Sequence, residues 1–419
     1  MCGCVCDDLK LTVDGRSVTG VSPGCELAEP WLLNQTVADI PAARIGLDHV
    51  PFEKAIAHAA DLLHGSVSPL IYGLSRSSTP GQRAAVELAD RIGATIDTTA
   101  STCHAPSIMA LQSVGESTSS LGEVRNRCDL VIYWGSNPVK SHPRHLERFV
   151  DAPGQFVPNG RSDRHVVVID SQRSESAKLA DTFIEMEPGG DFDVIWALRG
   201  LLKGLSIEAN SIAGIPRGDL IALADRMKSC RYGTIFFGLG LTRHGIPHGN
   251  VEALLRLVTD ANHHTRFVVR RMRIPGDVAG ADSVLAWQTG FPFSVSLNRT
   301  WPRFNPGEFT ANDMLERHEV DAAVLVGTEG INKLSRAART WLTRIPSVVL
   351  DYPGVETPLA PSVHFTTAVY GIHRAGTANR MDEVPIPLRR VLKSKLPADH
   401  EVLQAIVDVG LSRRTKSDG

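Results

Sequence analysis

The sequence predicts an α/β protein with two doubly wound parallel-sheet domains and a small cysteine-bearing module at its N-terminus. Three observations carry that expectation. Apolar runs of strand length recur along the chain and are continuous rather than alternating, the pattern of strands buried on both faces. Helical patterns separate the runs, so strand and helix alternate. The first 48 residues differ from the rest and hold four of the seven cysteines.

Taken in order, "DLKLTVDG" near the start reads as a strand ending in an Asp-Gly turn. The buried strands are then expected at 68–75, 129–138, 165–172, 232–240, 266–272, 321–330, 346–354 and 361–371. Between them "GQRAAVELADRIG" (81–93), "DFDVIWALRGLLKG" (191–204) and "GNVEALLRLVTDAN" (249–262) carry helical periodicity. The module at 1–48 stands apart, and the tail "LSRRTKSDG" is expected to fray. No internal repeat is visible.

A chain of 419 residues is long for one domain. With 42% hydrophobic and 21% charged residues it reads as an ordinary soluble globular protein. A net charge of −2 argues against nucleic acid or a membrane surface as partner. No apolar stretch reaches spanning length, and "MCGCVCDDLK" lacks the basic and apolar regions of a signal peptide. Seven cysteines at this length do not form a disulfide framework, so a reduced, cytoplasmic protein is expected.

In open parallel sheets ligands bind beyond the carboxyl ends of the strands, so the residues after each apolar run are the ones to read. "YWGSNP" places Gly135, Ser136 and Asn137 there, and "DSQRS" places Asp170, Ser171 and Arg173. "FGLGLT" places Gly238 and Gly240. Glycine and small polar residues let backbone N–H groups approach a phosphate, and an acidic residue at a strand end suits a ribose. Each loop alone is weak, since any α/β protein has such loops. Together they make a large nucleotide-like ligand plausible.

Cys2, Cys4 and Cys6, followed by Cys25, suit an Fe–S cluster or zinc in residue type but not in zinc's paired spacing; inert thiols near a terminus are the plain alternative. Cys103, next to His104, reads equally as a thiolate metal ligand or a buried small hydrophobe. In "VVRRMRIPGDV", alternation sends Arg271 and Arg273 to one face, for pairing with an anion or as a solvated edge.

Read together, these motifs resemble the B-type subunit of formylmethanofuran dehydrogenase, in the molybdopterin/tungstopterin oxidoreductase superfamily. The resemblance rests on "CDDLKL", "CHAPS", "VGESTSSLGEVRNRCDLVIYWGSNPVKSHPRH", "DSQRSESAKLAD" and "FGLGLT". It extends through "MRIPGDVAGADSVLAWQTGFPFSVSLNRTWPRFNPGEFTANDML" and "GTANRMD" (376–382), and so covers nearly the whole chain. It implies molybdopterin-type α/β domains built from 49–99 plus 321–395 and from 100–320, followed by a C-terminal helix and tail at 396–419.

The resemblance also implies a molybdopterin or tungstopterin guanine dinucleotide cofactor and an N-terminal [4Fe–4S] cluster. Cys103 would bind the metal, His104 would relay protons and Arg273 would hold an oxyanion. The nucleotide arms would lie along the three glycine- and serine-bearing loops and along 376–382, with Thr377, Asn379, Arg380 and Asp382. Cys2, Cys6 and Cys25 match the second, third and fourth cluster cysteines, while the first would fall before Met1. "CHAP" also replaces the family's "CHGP".

That departure favours a non-redox B-type subunit, a scaffold in a formyltransferase/hydrolase complex that releases formate within tetrahydromethanopterin-linked one-carbon metabolism. The alternative is a working metal-pterin subunit that interconverts CO₂ and formate. In both readings the partners are the other subunits of the complex and, through them, a methanofuran-type carrier.

Overall fold

The computed structural model describes residues 2–37, 39–274 and 276–417. The chain opens with an antiparallel hairpin, β1 (Lys10–Asp14) and β2 (Ser17–Ser22), turned at Gly15 with φ +55°. The Asp-Gly turn read from the sequence is therefore there, and glycine accommodates the left-handed backbone it needs. Short strands β3 (Ala43–Ile45) and β4 (Asp48–His49) lead to helix α1 (Phe52–His64). Strand β5 (Pro69–Gly73), helix α2 (Thr79–Ile92) and strand β6 (Thr95–Thr98) follow. Helix α2 buries Ala85, Leu88 and Ala89 on one stripe and stops at Gly93, whose φ of +69° closes the helix in the left-handed region.

The chain then builds its second unit, Cys103–Ile274 together with Cys2. Helix α3 (Ala105–Val114) comes first, followed by β7 (Leu130–Trp134), the short helix α4 (Pro138–Ser141) and β8 (His165–Asp170). Helix α5 (Glu175–Leu179), β9 (Thr182–Glu185), helix α6 (Asp191–Leu202) and a small hairpin, β10 (Ser211–Ile212) with β11 (Ile215–Pro216), continue it. Strand β12 (Tyr232–Phe237), helix α7 (Pro247–Ala261) and β13 (Arg266–Arg271) complete it. The sheet order is β13-β12-β7-β8-β9, all parallel. Strand β7 is wholly buried, as its unbroken apolar run requires. Trp134 ends it, with the indole N–H donating to Asp191 Oδ1 at 2.8 Å.

Residues 276–417 return to the first unit, which also holds residues 3–102. They supply helix α8 (Val278–Thr289) and strands β14 (Val295–Ser296), β15 (Arg303–Phe304), β16 (Ala322–Val326), β17 (Ser347–Asp351) and β18 (Val363–Thr366). The hairpin β19 (Gly376–Asn379) and β20 (Pro385–Leu388) and helix α9 (Asp399–Ser417) come last. The nine-stranded sheet runs β15-β14-β6-β5-β16-β17-β18-β3-β4, with a parallel centre, β6 to β18, and antiparallel edges.

The unit boundaries differ from those expected. The second unit ends at Ile274 rather than at 320, because β14 pairs with β6 and helix α8 packs on α2. Residues 1–48 do not stand alone either, since β3 pairs with β18 and extends the large sheet. The tail is helical through Ser417. Among the described residues, no helix is long and apolar enough to cross a membrane.

Candidate functional site

In the second unit β7 comes first in the chain; β8 and β9 are added on one side and β12 and β13 on the other. Strand order therefore reverses between β7 and β12, and a crevice for ligand opens at the carboxyl ends of such a pair. Both ends carry the glycines singled out in the sequence. Gly135 turns the chain out of β7 with φ +54°, and its N–H donates to Ile169 O at 2.9 Å. Gly238 N donates to Trp134 O at 3.1 Å, and Gly240 N to Gly135 O at 3.0 Å. The two loops thus touch backbone to backbone. A Cβ on Gly240 would lie 2.6 Å from Gly135 Cα, and one on Gly135 would lie 2.8 Å from Leu241 N. Only glycine permits this approach.

Ser136 is buried. Asn137 ties this loop to helix α5: its Nδ2 donates to Glu175 Oε2 at 2.7 Å, and its Oδ1 accepts from Ser176 Oγ at 2.6 Å. At the end of β8, Asp170 Oδ1 accepts from Ser171 N at 2.8 Å. Arg173 is exposed, with its guanidinium over the Phe183 ring at 5.4 Å. The structure therefore gathers six of the sequence-derived positions, Gly135, Ser136, Asn137, Asp170, Gly238 and Gly240, at the ends of three adjacent strands. Ser171 and Arg173 extend the same edge. The groove of about 550 Å³ beside Trp196, Leu205 and Ile212 lies along α6, among residues that carry none of these groups.

Cys103 and Arg273 belong to this same unit. Residues 99–102 form one 3₁₀ turn, Cys103 follows as a partly exposed thiol outside any disulfide, and His104 caps helix α3. Pro106 in the first turn suits a helix start, because it has no N–H to leave unbonded. The His104 ring is buried, and its carbonyl accepts from Ser107 N at 3.0 Å and Ser107 Oγ at 2.8 Å. The head of a helix suits an anionic sulfur beside it. A metal whose other ligands come from its cofactor asks one thiolate of the protein, and Cys103 fits that demand.

Arg270, Arg271 and Arg273, at and just past the end of β13, part company. Arg270 donates to Ser119 O at 2.7 Å, and Arg271 pairs with Glu116 at 3.1 Å, both buried. The edge of β13 is covered by residues 116–119, with Val269 N donating to Ser117 O, so it is not the solvated edge weighed from the sequence. Arg273 lies past the strand and is buried, and its carbonyl sits 3.1 Å from His142 Nε2.

None of the N-terminal cysteines is in a disulfide; Cys4 is fully buried and Cys2, Cys6 and Cys25 are partly exposed. Among the described residues, no three or more His, Cys, Asp or Glu side chains stand together as a metal-holding group. A cuboidal cluster would need four thiolates held together. In the first unit, Thr377 O accepts from Thr79 Oγ1 at 3.3 Å and Asn379 N donates to Asp277 Oδ1 at 2.7 Å. Arg380 and Asp382 form a buried two-pronged ion pair, 2.7 Å at both contacts.

Sequence reasoning missed the first unit's own reversal of strand order, between β5 and β16. There Leu74 has φ +74°, and Ser75 donates to Glu329, which also faces Arg76 at 3.5 Å. Arg76 reaches Asp351 at 3.5 Å, and Thr328 donates to the same carboxylate. Burial holds both carboxyls above their usual range. The signal was available: "YGLSRSS" follows a buried run just as "YWGSNP" does.

Two sheets with parallel cores, one with glycine-built loops at its switch point and a thiol at a helix head in the same unit, define an α/β protein of the doubly wound type. No family model matches the chain. It is 37% identical, over 97% of its length and 96% of the relative's, to the B-type subunit of tungsten-containing formylmethanofuran dehydrogenase 2 of Methanocaldococcus jannaschii. The chain belongs to the family of formylmethanofuran dehydrogenase B-type subunits. It is also 25% identical to the B-type subunit of the formyltransferase/hydrolase complex Fhc of Methylorubrum extorquens, over 65% of this chain and 70% of that one. The fold recurs in the crystal structure of the Methylorubrum extorquens FhcABCD complex with methylofuran. There the TM-score is 0.75 at 22% identity, covering 89% of this chain and 100% of that one.

Proposed function

We propose that the chain is the cofactor-binding B-type subunit of a formylmethanofuran dehydrogenase-like complex, with a metal-pterin seated at the β7/β12 switch point and Cys103 as its protein ligand. One observation carries the reading. Cys103 is a partly exposed thiol at a helix head, in the same unit as a switch point whose loops only glycine can build. The greater likeness to a tungsten-containing relative, along almost the whole chain, supports it.

When bound, the group supplies two-electron exchange between CO₂ and formate. The protein's own tasks are binding, orientation and proton handling. Backbone N–H groups of the 135–137 and 238–240 loops would meet the nucleotide phosphates, with Asp170, Ser171 and Arg173 on the ribose and phosphate side. Thr377, Asn379, Arg380 and Asp382 would hold a second nucleotide arm. The Arg273 guanidinium would hold the carboxylate oxygens of formate, and His104 would move the proton. The other subunits of the complex would take formate to and from a methanofuran-type carrier.

A second reading is favoured by the N-terminal thiols, since among the described residues no three side chains stand together as a metal-holding group. It makes the chain a non-redox scaffold in a formyltransferase/hydrolase complex, the kind of assembly to which the Methylorubrum relative belongs. The native complex separates the two. Formate-dependent reduction of a viologen dye supports the first. Release of formate from a formylated carrier, with no dye reduction under any condition, supports the second and overturns the first.

A further inference from the structure

Beside Arg273 lies a side chain with no part in the chemistry proposed so far. His142 follows helix α4 and is fully buried. Its Nε2 is 3.1 Å from Arg273 O, and its Nδ1 is 2.9 Å from Ser141 Oγ. Ser141 Oγ lies in turn 2.9 Å from Asn137 O, in the loop that leaves β7. The ring therefore spans from the end of β7 to the chain just past β13, although β12 separates those strands in the sheet.

The protons on the ring can be assigned. A carbonyl has none to give, so Nε2 must carry one and donate to Arg273 O. Burial holds the imidazole down to about 4, so near neutral pH it is uncharged and Nδ1 is an acceptor. The Ser141 hydroxyl then has two acceptors within reach, Asn137 O and Nδ1, each at 2.9 Å. The other bonds around the ring are fixed by the fold: His142 N donates to Pro138 O at 2.7 Å, and His145 N to His142 O at 2.8 Å. The buried His145 ring, 6.5 Å from that of His142, packs edge-on against Phe236 at 4.7 Å. Met272 N donates to Phe237 O at 2.9 Å. Arg273 follows directly, past the end of β13.

We infer that His142 is a positioning residue for Arg273, fixing the backbone from which the guanidinium departs relative to the glycine loop at the end of β7. The inference rests on the reading of Arg273 as the arginine that meets the substrate carboxylate. Its chemistry is specific: one neutral donor at Nε2, oriented by one hydroxyl at Nδ1. A glutamine amide can reproduce the donor, whereas a methionine of similar bulk cannot.

The test uses the native complex and four variants: His142→Met, His142→Gln, Arg273→Ala and the double variant H142M/R273A. Formate-dependent dye reduction is read together with metal and pterin content and melting temperature. H142M is expected to lose about tenfold to a hundredfold in kcat/KM for formate, the scale of a misplaced group, with cofactor content unchanged. H142Q should recover most of that loss. In the R273A background H142M should cost nothing further, because the two act as one unit.

H142M at the wild-type rate, H142Q as poor as H142M, or an added loss in the double variant each overturns the inference. So does loss of cofactor in H142M, which would place His142 in the cofactor loop's service alone. R273A at the wild-type rate overturns the underlying reading, a result distinct from these. If H142M does not accumulate, Ser141→Ala takes its place: a several-fold fall in the same parameter is expected, and an unchanged rate overturns the inference.

Discussion

Glycines meet where strand order reverses between β7 and β12, whereas charges meet where it reverses between β5 and β16. The first crossing has Gly135, Gly238 and Gly240 in backbone contact, so main-chain donors and space are what it offers. The second has Glu329, Asp351 and Arg76 facing one another, with Ser75 and Thr328 donating to the carboxylates. Its charges already have partners within the protein. Two copies of one topology thus arrive at unlike surfaces. A switch point provides a crevice, and the residues after the strands decide what it can hold.

Four perturbations should separate the two crossings, taken in descending order of effect. Cys103→Ser should abolish formate-dependent turnover, by about a hundredfold or more, while leaving the melting temperature of the first unit alone. Turnover and metal content, measured on the same preparation, check it. Full activity in that variant would remove the second unit's claim to chemistry.

Acid should next distinguish the units. Burial lowers His142 to about 4 and His145 to about 3, from an ordinary 6.5. Below 6.5 the unfolded chain takes up protons that the folded one refuses, so stability is lost as pH falls from 6.5 toward 4. Each histidine contributes about 1.4 kcal/mol per pH unit in that window. In the first unit His364, lowered to about 4, acts the same way, but Asp97, raised to about 6, opposes it. A carboxyl raised in the folded state gains stability as pH falls from 6 toward 4. The second unit should therefore lose amide-exchange protection first on acidification. Equal loss in both units would contradict this.

Gly240→Ala comes third. Its new methyl would collide with the Gly135 backbone, which has no flexible end to move aside, and a loss of about 2 kcal/mol is expected by denaturant unfolding. Glu329→Gln should be the mildest, at about 1 kcal/mol or less. The amide keeps the shape and the Ser75 contact, and Arg76 remains about a third exposed to water. A larger loss there than at Gly240 would reverse the ranking of the two crossings.

All eight strands expected from continuous apolar runs are present, because a strand buried on both faces must be apolar throughout. Strand β6 is not legible in that way, since "TIDT" carries polar residues that the fold satisfies internally; Asp97 accepts from Ala311 N at 2.8 Å and from Ser294 N at 3.0 Å. The boundary at Ile274 is hidden for a related reason. Two-residue strands such as β14 leave no periodic trace, yet the pairing of β14 with β6 moves residues 276–320 into the first unit. Loop glycines are legible because φ and close approach select them. The bond from His142 to Arg273 is not, because 131 residues separate its ends.

Whether the β7/β12 crossing with Cys103 seats a metal-pterin is decided by elemental and pterin analysis of the native complex. Tungsten or molybdenum should be present in stoichiometric amount with its pterin nucleotide, and should be lost in Cys103→Ser. A complex that contains neither metal nor pterin, yet still releases formate from a formylated carrier, would refute the assignment.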